Sequence, residues 1–143
     1  MLFEPAAPSD FPEIIEVWEA SVRATHHFLK EEDIVYFKPL ILNEYLYLVK
    51  LFITRDEHGK IIGFLGTADD KVEMLFMDPS AIGSGIGRKF MNYAIQELGI
   101  KKVDVNEQNE QAVGFYKHLG FRVVDRSELD PTGRPYPILH LEL

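Results

Sequence analysis

The 143-residue chain contains no cysteine, so it has no disulfide framework, no thiolate nucleophile and no thiolate metal ligand. That absence fits a cytoplasmic protein. No stretch approaches the roughly 20 uncharged apolar residues that span a bilayer. The opening Met1-Leu2-Phe3-Glu4-Pro5 also lacks the basic start and long apolar core of a secretion signal, so no membrane association is expected. Basic residues are scarce: 15 Lys and Arg against 23 Asp and Glu leave a net charge of -8. Such a surface repels polyphosphate backbones, and nucleic acid is not an expected partner. The sequence has no internal repeat, no low-complexity tract and no linker-like run. It has no Gly-x-Ser-x-Gly elbow, which with the missing cysteine leaves covalent acyl-enzyme chemistry without an evident nucleophile. His26, His27, His58, His118 and His140 follow no recognised ligand spacing, so no metal is expected.

With 46% apolar residues the chain can form one well-packed core, and its length suits a single domain over residues 1–143. A short strand is expected over Leu2 to Glu4. Ser9 or Asp10 can cap a helix with Pro12 in its first turn and Phe11, Ile15, Trp18 and Val22 on one face. A second helix is expected from Glu31 to about Leu42, disturbed near Pro39. Leu46 to Thr54 and Lys60 to Ala68, either side of the turn cluster Asp56-Glu57-His58-Gly59, read as an antiparallel hairpin. In the next strand Val72, Met74 and Phe76 alternate with Glu73, Leu75 and Met77. Ile86, Phe90, Ala94 and Leu98 then mark an amphipathic helix that stops at Gly99. A short strand follows over Lys102 to Val105, and a helix carries Ala112, Phe115, Tyr116 and Leu119 on one face. Phe121 to Val124 and Ile138 to Leu143 read as closing strands. This succession predicts a mixed α/β sheet in one layered domain.

The chemistry concentrates where the strand ending Leu75-Phe76-Met77 enters Gly83-Ser84-Gly85-Ile86-Gly87-Arg88. Glycines at 83, 85 and 87 let main-chain N–H groups face one concavity. The helix that follows adds its own unsatisfied N–H groups and partial positive charge, an arrangement suited to a pyrophosphate.

This turn, together with Asn109-Glu110-Gln111-Ala112-Val113-Gly114-Phe115-Tyr116-Lys117-His118-Leu119-Gly120-Phe121, resembles the GNAT superfamily of acetyl-CoA-dependent N-acetyltransferases. The family's Gln/Arg-x-x-Gly-x-Gly/Ala motif falls on Ile82 to Gly87, and its Asn-x-x-Ala-x-x-Phe-Tyr-x-x-x-Gly-Phe pattern falls on Asn109 to Phe121. Val105-Asn106-Glu107-Gln108-Asn109 and Gly133-Arg134-Pro135-Tyr136-Pro137 resemble a bacterial YjaB-like branch. The resemblance implies a GNAT-like mixed, mostly antiparallel sheet flanked by helices, with splayed central parallel strands. It implies acetyl transfer from acetyl-CoA to a primary amine by direct attack in a ternary complex.

It further implies that Gly83, Ser84, Gly85, Ile86, Gly87 and Arg88 grip the coenzyme pyrophosphate through backbone N–H groups. Phe76 and Met77 line the pantetheine arm, and Asn109 bonds the pantetheine or the adjoining backbone. Tyr116 is the expected general acid toward the departing thiolate. For the amine's proton, His26, whose ordinary pKa is near 6.5, and Glu73 are candidates beside Glu107 and Asn106, and a water chain is a further route. The acceptor is a small-molecule or peptide amine, and a homodimer through the late strands is compatible with the family. Ile82 stands where the family commonly has Arg or Gln, which predicts weaker coenzyme binding.

Two other readings stay open at this level. Gly83, Gly85 and Asp104 meet part of a dinucleotide-binding fingerprint, although Arg88 occupies the third glycine's place. A coenzyme A sensor that keeps the fold without turnover would also carry these motifs, and Ile82 favours it while Tyr116 and Asn109 oppose it.

Overall fold

A computed structural model describes residues 3–143. In chain order the elements are β1 (Glu4–Pro5), α1 (Phe11–Thr25), α2 (Glu31–Asn43), β2 (Lys50–Arg55), β3 (Ile61–Ala68), β4 (Lys71–Met77), α3 (Ile86–Glu97), β5 (Lys102–Asn106), α4 (Glu110–His118), β6 (Arg122–Ser127) and β7 (Ile138–Glu142). The strands form a seven-stranded sheet in the order β1-β2-β3-β4-β5-β7-β6. Every pairing is antiparallel except β4 with β5. The mixed α/β fold with splayed central parallel strands is therefore the one that forms. A dinucleotide-binding domain needs repeated parallel units, and one parallel pair does not supply them. Of the expected first strand, Leu2 lies outside the described residues.

Each face of the sheet is closed by one pair of helices. α1 turns Phe11, Ile14, Ile15, Trp18 and Val22 inward at helical spacing, onto Ile53, Ile61 and Phe64. On the opposite face α3 supplies Ile86, Phe90, Met91 and Ala94, and α4 supplies Tyr116, against Leu65, Val72, Val103, Val105, Leu139 and Leu141.

Several local expectations shift. Asp10 stands at the start of α1 but does not cap it: its carboxylate accepts the Ala7 N–H at 2.9 Å and Arg55 Nη2 at 3.1 Å. α2 runs on through Pro39. The carbonyl that loses its donor belongs to Val35, an exposed residue, where water can replace the bond. Tyr45–Leu48 forms a 3-10 turn and β2 begins only at Lys50, because Leu46 alone reaches the core while Tyr47 and Leu48 face outward.

The shift that matters most is in β4. Its register against β3 pairs Thr67 with Val72 and Gly66 with Met74, so Glu73 is an extra residue in a β-bulge. The simple alternation fails there. Val72 shares the α3 face with Leu75 and Met77, whereas Met74 and Phe76 face α1 and α2. Beside the bulge the pairing with β5 covers Lys71↔Lys102 and Val72↔Val103, and beyond it the two strands part.

Phe64 is fully buried and holds the ring of Phe76 at 5.6 Å between centroids. Phe64→Ala should cost about 3–5 kcal/mol, measured as a lowered urea midpoint with an unchanged slope.

Candidate functional site

The parting of β4 and β5 opens a cleft. One cavity, of about 410 Å³, is bordered by Leu75, Phe76 and Met77 of β4, the 81–88 turn, and Asn109, Ala112, Phe115 and Tyr116. A second, of about 250 Å³, continues between the strands past Glu73, Asp104, Val105 and Asn106. His26, Phe76, Asn109 and Tyr116 border both.

The turn is built as its glycines demand. Gly83 and Gly85 have φ of +82° and +88°, a region that penalises any Cβ, and Gly85 precedes the first residue of α3 in the left-handed conformation. The first bond of α3 runs from the Lys89 N–H to the Gly85 carbonyl at 3.1 Å. The N–H groups of Ile86, Gly87 and Arg88 therefore have no helix carbonyl to bond. They make an anion site at the positive end of a 12-residue helix. One residue of the expected grip plays another part. Ser84 turns back on the loop, its N–H on the Ala81 carbonyl at 3.2 Å and its hydroxyl on the same oxygen, and it does not border the cleft. The Ile86 side chain is buried in the core, so its N–H alone is available. Gly83, Gly85, Gly87 and Arg88 border the cavity, as does Ile82, which is 45% exposed at its mouth.

From Glu73 to Met77 the β5-facing edge of β4 has no strand partner. Its main-chain groups are open to an extended ligand that lies along it as a strand would. Asn109 bonds the backbone of its own helix. Its Oδ1 accepts the Ala112 N–H at 3.2 Å and caps α4, while its Nδ2 lies 3.5 Å from His26 Nε2.

Tyr116 is buried, at 6% exposure, between Phe115 and Phe121. Among the described residues no hydrogen bond engages its hydroxyl, and no buried polar side-chain atom lacks a partner. The oxygen is thus open to the cleft it borders. Burial raises its pKa well above the ordinary phenol value, so at neutral pH it is a donor.

His26 ends α1 with Nδ1 2.7 Å from Thr25 Oγ1 and its ring 6.0 Å from that of Phe76. Its ordinary pKa does not survive this setting: burial, with a smaller contribution from His27, lowers it to about 4. It is neutral and weakly basic at pH 7, which corrects the expectation of proton traffic near neutrality. Glu73, displaced by the bulge, borders the second cavity with its carboxylate 3.3 Å from Lys71 Nζ. Glu107 pairs with Arg126 at 2.8 Å, which holds its carboxyl below the ordinary value and makes it a strand tie rather than a base.

One row of side chains gave no signal in the sequence because its members are scattered over four strands. Ser127 Oγ lies 2.7 Å from His140 Nε2, His140 Nδ1 lies 2.7 Å from Asp104 Oδ1, and Asp104 Oδ2 lies 2.9 Å from Lys71 Nζ. The order is that of a hydrolytic triad, but Ser127 borders neither cavity, and the row ties β6 to β7, β5 and β4. Among the described residues no group of three His, Cys, Asp or Glu side chains is placed to hold a metal ion.

Comparison with known proteins bears on this geometry. A family model described as an acetyltransferase (GNAT) domain matches residues 29–133. The chain is 40% identical over 129 residues to the peptidyl-lysine N-acetyltransferase YjaB of Escherichia coli strain K12, covering 90% of this chain and 87% of that protein. The solution structure of apo-form YjaB from Escherichia coli superposes with a TM-score of 0.87 at 36% identity, over 99% of this chain and 97% of the other. The PaiA N-acetyltransferase of Thermoplasma acidophilum, solved in complex with coenzyme A, shares the fold, with a TM-score of 0.72 at 21% identity over the full length of both chains.

Because the buried, neutral His26 would have to take up a proton below its ordinary pKa, the unfolded chain binds that proton more readily between pH 6.5 and about 4. Stability should therefore fall as pH drops through this window, by on the order of 3 kcal/mol from this residue. His26→Gln should flatten that part of the curve, read as urea midpoints at pH 7 and pH 4.5.

Proposed function

The chain belongs to the GNAT acetyltransferase family, and from that membership we propose that its cleft brings acetyl-CoA and the lysine side chain of a peptide together around Tyr116. The family uses acetyl-CoA, which supplies an activated acyl thioester. The residues present fit it. Three unbonded N–H groups at the start of α3 suit the pyrophosphate, and the open edge of β4 suits the pantetheine amides. The cleft between them is continuous. Gly83, Gly85, Gly87 and Arg88 would hold the phosphate end, and Phe76 and Met77 would flank the arm. Asn109 would act by fixing the start of α4 and hence the position of Tyr116.

The observation that carries the reading is the unpartnered phenol of Tyr116 where the two cavities meet. A thiol leaving group has a pKa of about 8.5, below that of this phenol, so outright proton transfer from Tyr116 would be uphill. Tyr116 instead donates a hydrogen bond to the sulfur as charge develops there. A main-chain N–H near Phe76 or Met77 would serve the carbonyl oxygen in the same way.

A lysine ammonium, with a pKa of about 10.4, loses its proton to water rather than to His26. His26 and Glu73 then receive the amine: the neutral imidazole as a hydrogen-bond partner, the carboxylate as the charge that draws the cation in. The acidic composition, and the two carboxylates of Glu73 and Asp104 in the second cavity against the single Lys71 cation they share, favour a cationic acceptor. The peptidyl-lysine activity in the name of the 40% identical relative supports the same class. We read the chain as one acetyltransferase domain acting in the cytoplasm. The edge strand β6, with Val123 and Val124 exposed, is the surface on which two copies would pair.

Thiol release from acetyl-CoA should depend on lysine-containing peptides. Tyr116→Phe should lower kcat by about 10- to 100-fold while acetyl-CoA affinity by calorimetry stays within about twofold. Binding without thiol release across a broad amine panel would instead identify the sensor.

A further inference from the structure

The Gly133-Arg134-Pro135-Tyr136-Pro137 segment has no part in the donor cleft. It lies in the connection between β6 and β7, residues 128–137, which forms no strand pairs. The connection is closed on itself by Asp130. Its Oδ1 accepts the N–H groups of Thr132 and Arg134, both at 2.9 Å, and the Thr132 hydroxyl at 2.7 Å.

Besides the Glu107 N–H on the Pro137 carbonyl at 2.9 Å, what ties this closed turn to the α2 side of the molecule is one carboxylate, Asp33 in the first turn of α2. Arg134 Nε lies 2.9 Å from Asp33 Oδ1, and the Tyr136 hydroxyl donates to Asp33 Oδ2. The Lys30 N–H donates to the same Tyr136 oxygen at 3.3 Å, and the Arg134 guanidinium stacks 3.9 Å over the ring of Tyr36. The Asp33 side chain is only 14% exposed. Hydrogen bonds from Tyr136 and then Arg134 hold its carboxyl below the ordinary range, so it is anionic at neutral pH.

The clamp fixes the width of something. Beyond the donor cleft two cavities, of about 240 and 430 Å³, lie on the α1/α2 face of the sheet. Both are bounded by Phe37 and Tyr45 on one side, Glu73 and Met74 on the floor, and Asp130 and Pro131 of the connection on the other. The smaller one also reaches His26 and Phe76, which border the donor cleft. An acceptor amine coming from this face must pass between an aromatic wall on and after α2 and a wall on the connection, and Asp33 joins the two.

We propose that Asp33 is a positioning residue for the acceptor: by clamping Arg134 and Tyr136 it holds Asp130 and Pro131 opposite Phe37 and Tyr45 and so sets the aperture through which a narrow, unbranched, cationic side chain reaches Glu73 and His26. This rests on the acetyl-transfer reading above and adds the residue that determines which acceptors fit. Asp33 touches neither substrate, so its removal acts on acceptor KM and leaves donor binding alone.

The test uses the full chain with Asp33→Ala and, as a shape-preserving control, Asp33→Asn. Hydrogen exchange over residues 128–137 of the free protein should speed up in both variants while exchange in β3 and β4 stays unchanged. With a lysine peptide, KM should rise about tenfold, with kcat and acetyl-CoA affinity each within about twofold. Unchanged exchange over 128–137 would overturn the clamp. Faster exchange with an unchanged acceptor KM, or a parallel loss of acetyl-CoA affinity, would overturn its role in acceptor positioning. If the unmodified chain bound acetyl-CoA but acetylated no lysine peptide, the acceptor reading itself would fail, and so would this proposal's substrate, while the exchange comparison, which needs no substrate, would still decide whether Asp33 holds the connection.

Discussion

The parting of β4 from β5 beyond Val72 and Val103 is the constraint on which the site depends. In an unbroken sheet the main-chain groups of Glu73 to Met77 would be used up by the neighbouring strand, and Tyr116 on α4 would lie against a closed surface. The bulge at Glu73 sits where the strands separate. The added residue re-aims the rest of β4, sending Leu75 and Met77 toward α3 and Phe76 toward α1. On the acetyl-transfer reading one strand would thereby serve both halves of the reaction, its open edge toward the donor and Glu73 and Phe76 on the cavity of the α1/α2 face.

Burial then sets the charge pattern along this passage. It acts in opposite directions on the two titratable groups at its centre, raising the Tyr116 phenol and lowering the His26 imidazole, and both results favour the neutral form. Charge is kept at the ends. Unbonded N–H groups at the start of α3 suit an anion at one end, and at the other the Glu73, Asp104 and Asp130 carboxylates outnumber the one Lys71 cation that pairs with the first two. On the acetyl-transfer reading a donor rich in phosphate and an ammonium-bearing acceptor would be drawn to opposite mouths, with two neutral titratable groups between them.

The donor half was legible in the sequence because its parts are local. Residues 75–88 bring their own strand, turn and helix start, and residues 109–121 bring a cap, a helix and the phenol. The spacing of glycines and aromatics carries the geometry directly. The helices, the hairpin and the closing strands follow from periodicity in the same way. What failed to show was non-local. The bulge exists only relative to Thr67 and Gly66 on β3, so a reading of β4 alone gives plain alternation and puts Val72 on the wrong face. The inward turn of Ser84 depends on the Ala81 carbonyl beneath the loop. An ordinary histidine pKa says nothing about an imidazole sealed between Phe76 and the end of α1.

The acceptor half is illegible for a related reason. Its walls come from α1, α2, the 3-10 turn after it, the bulge and the β6–β7 connection, so the residues that meet there are far apart in the chain. Asp33 and Arg134 are separated by 101 positions, and neither residue type in its local context suggests the other. Long-range contacts of this kind change without disturbing the sheet or the donor turn, because the connection forms no strand pairs and α2 is bounded by solvent on its outer face. The same scaffold can therefore keep its acetyl donor while the acceptor aperture is redrawn. On the reading proposed above, substrate choice in this chain would lie in the contacts between α2 and the β6–β7 connection, where the sequence motifs are silent.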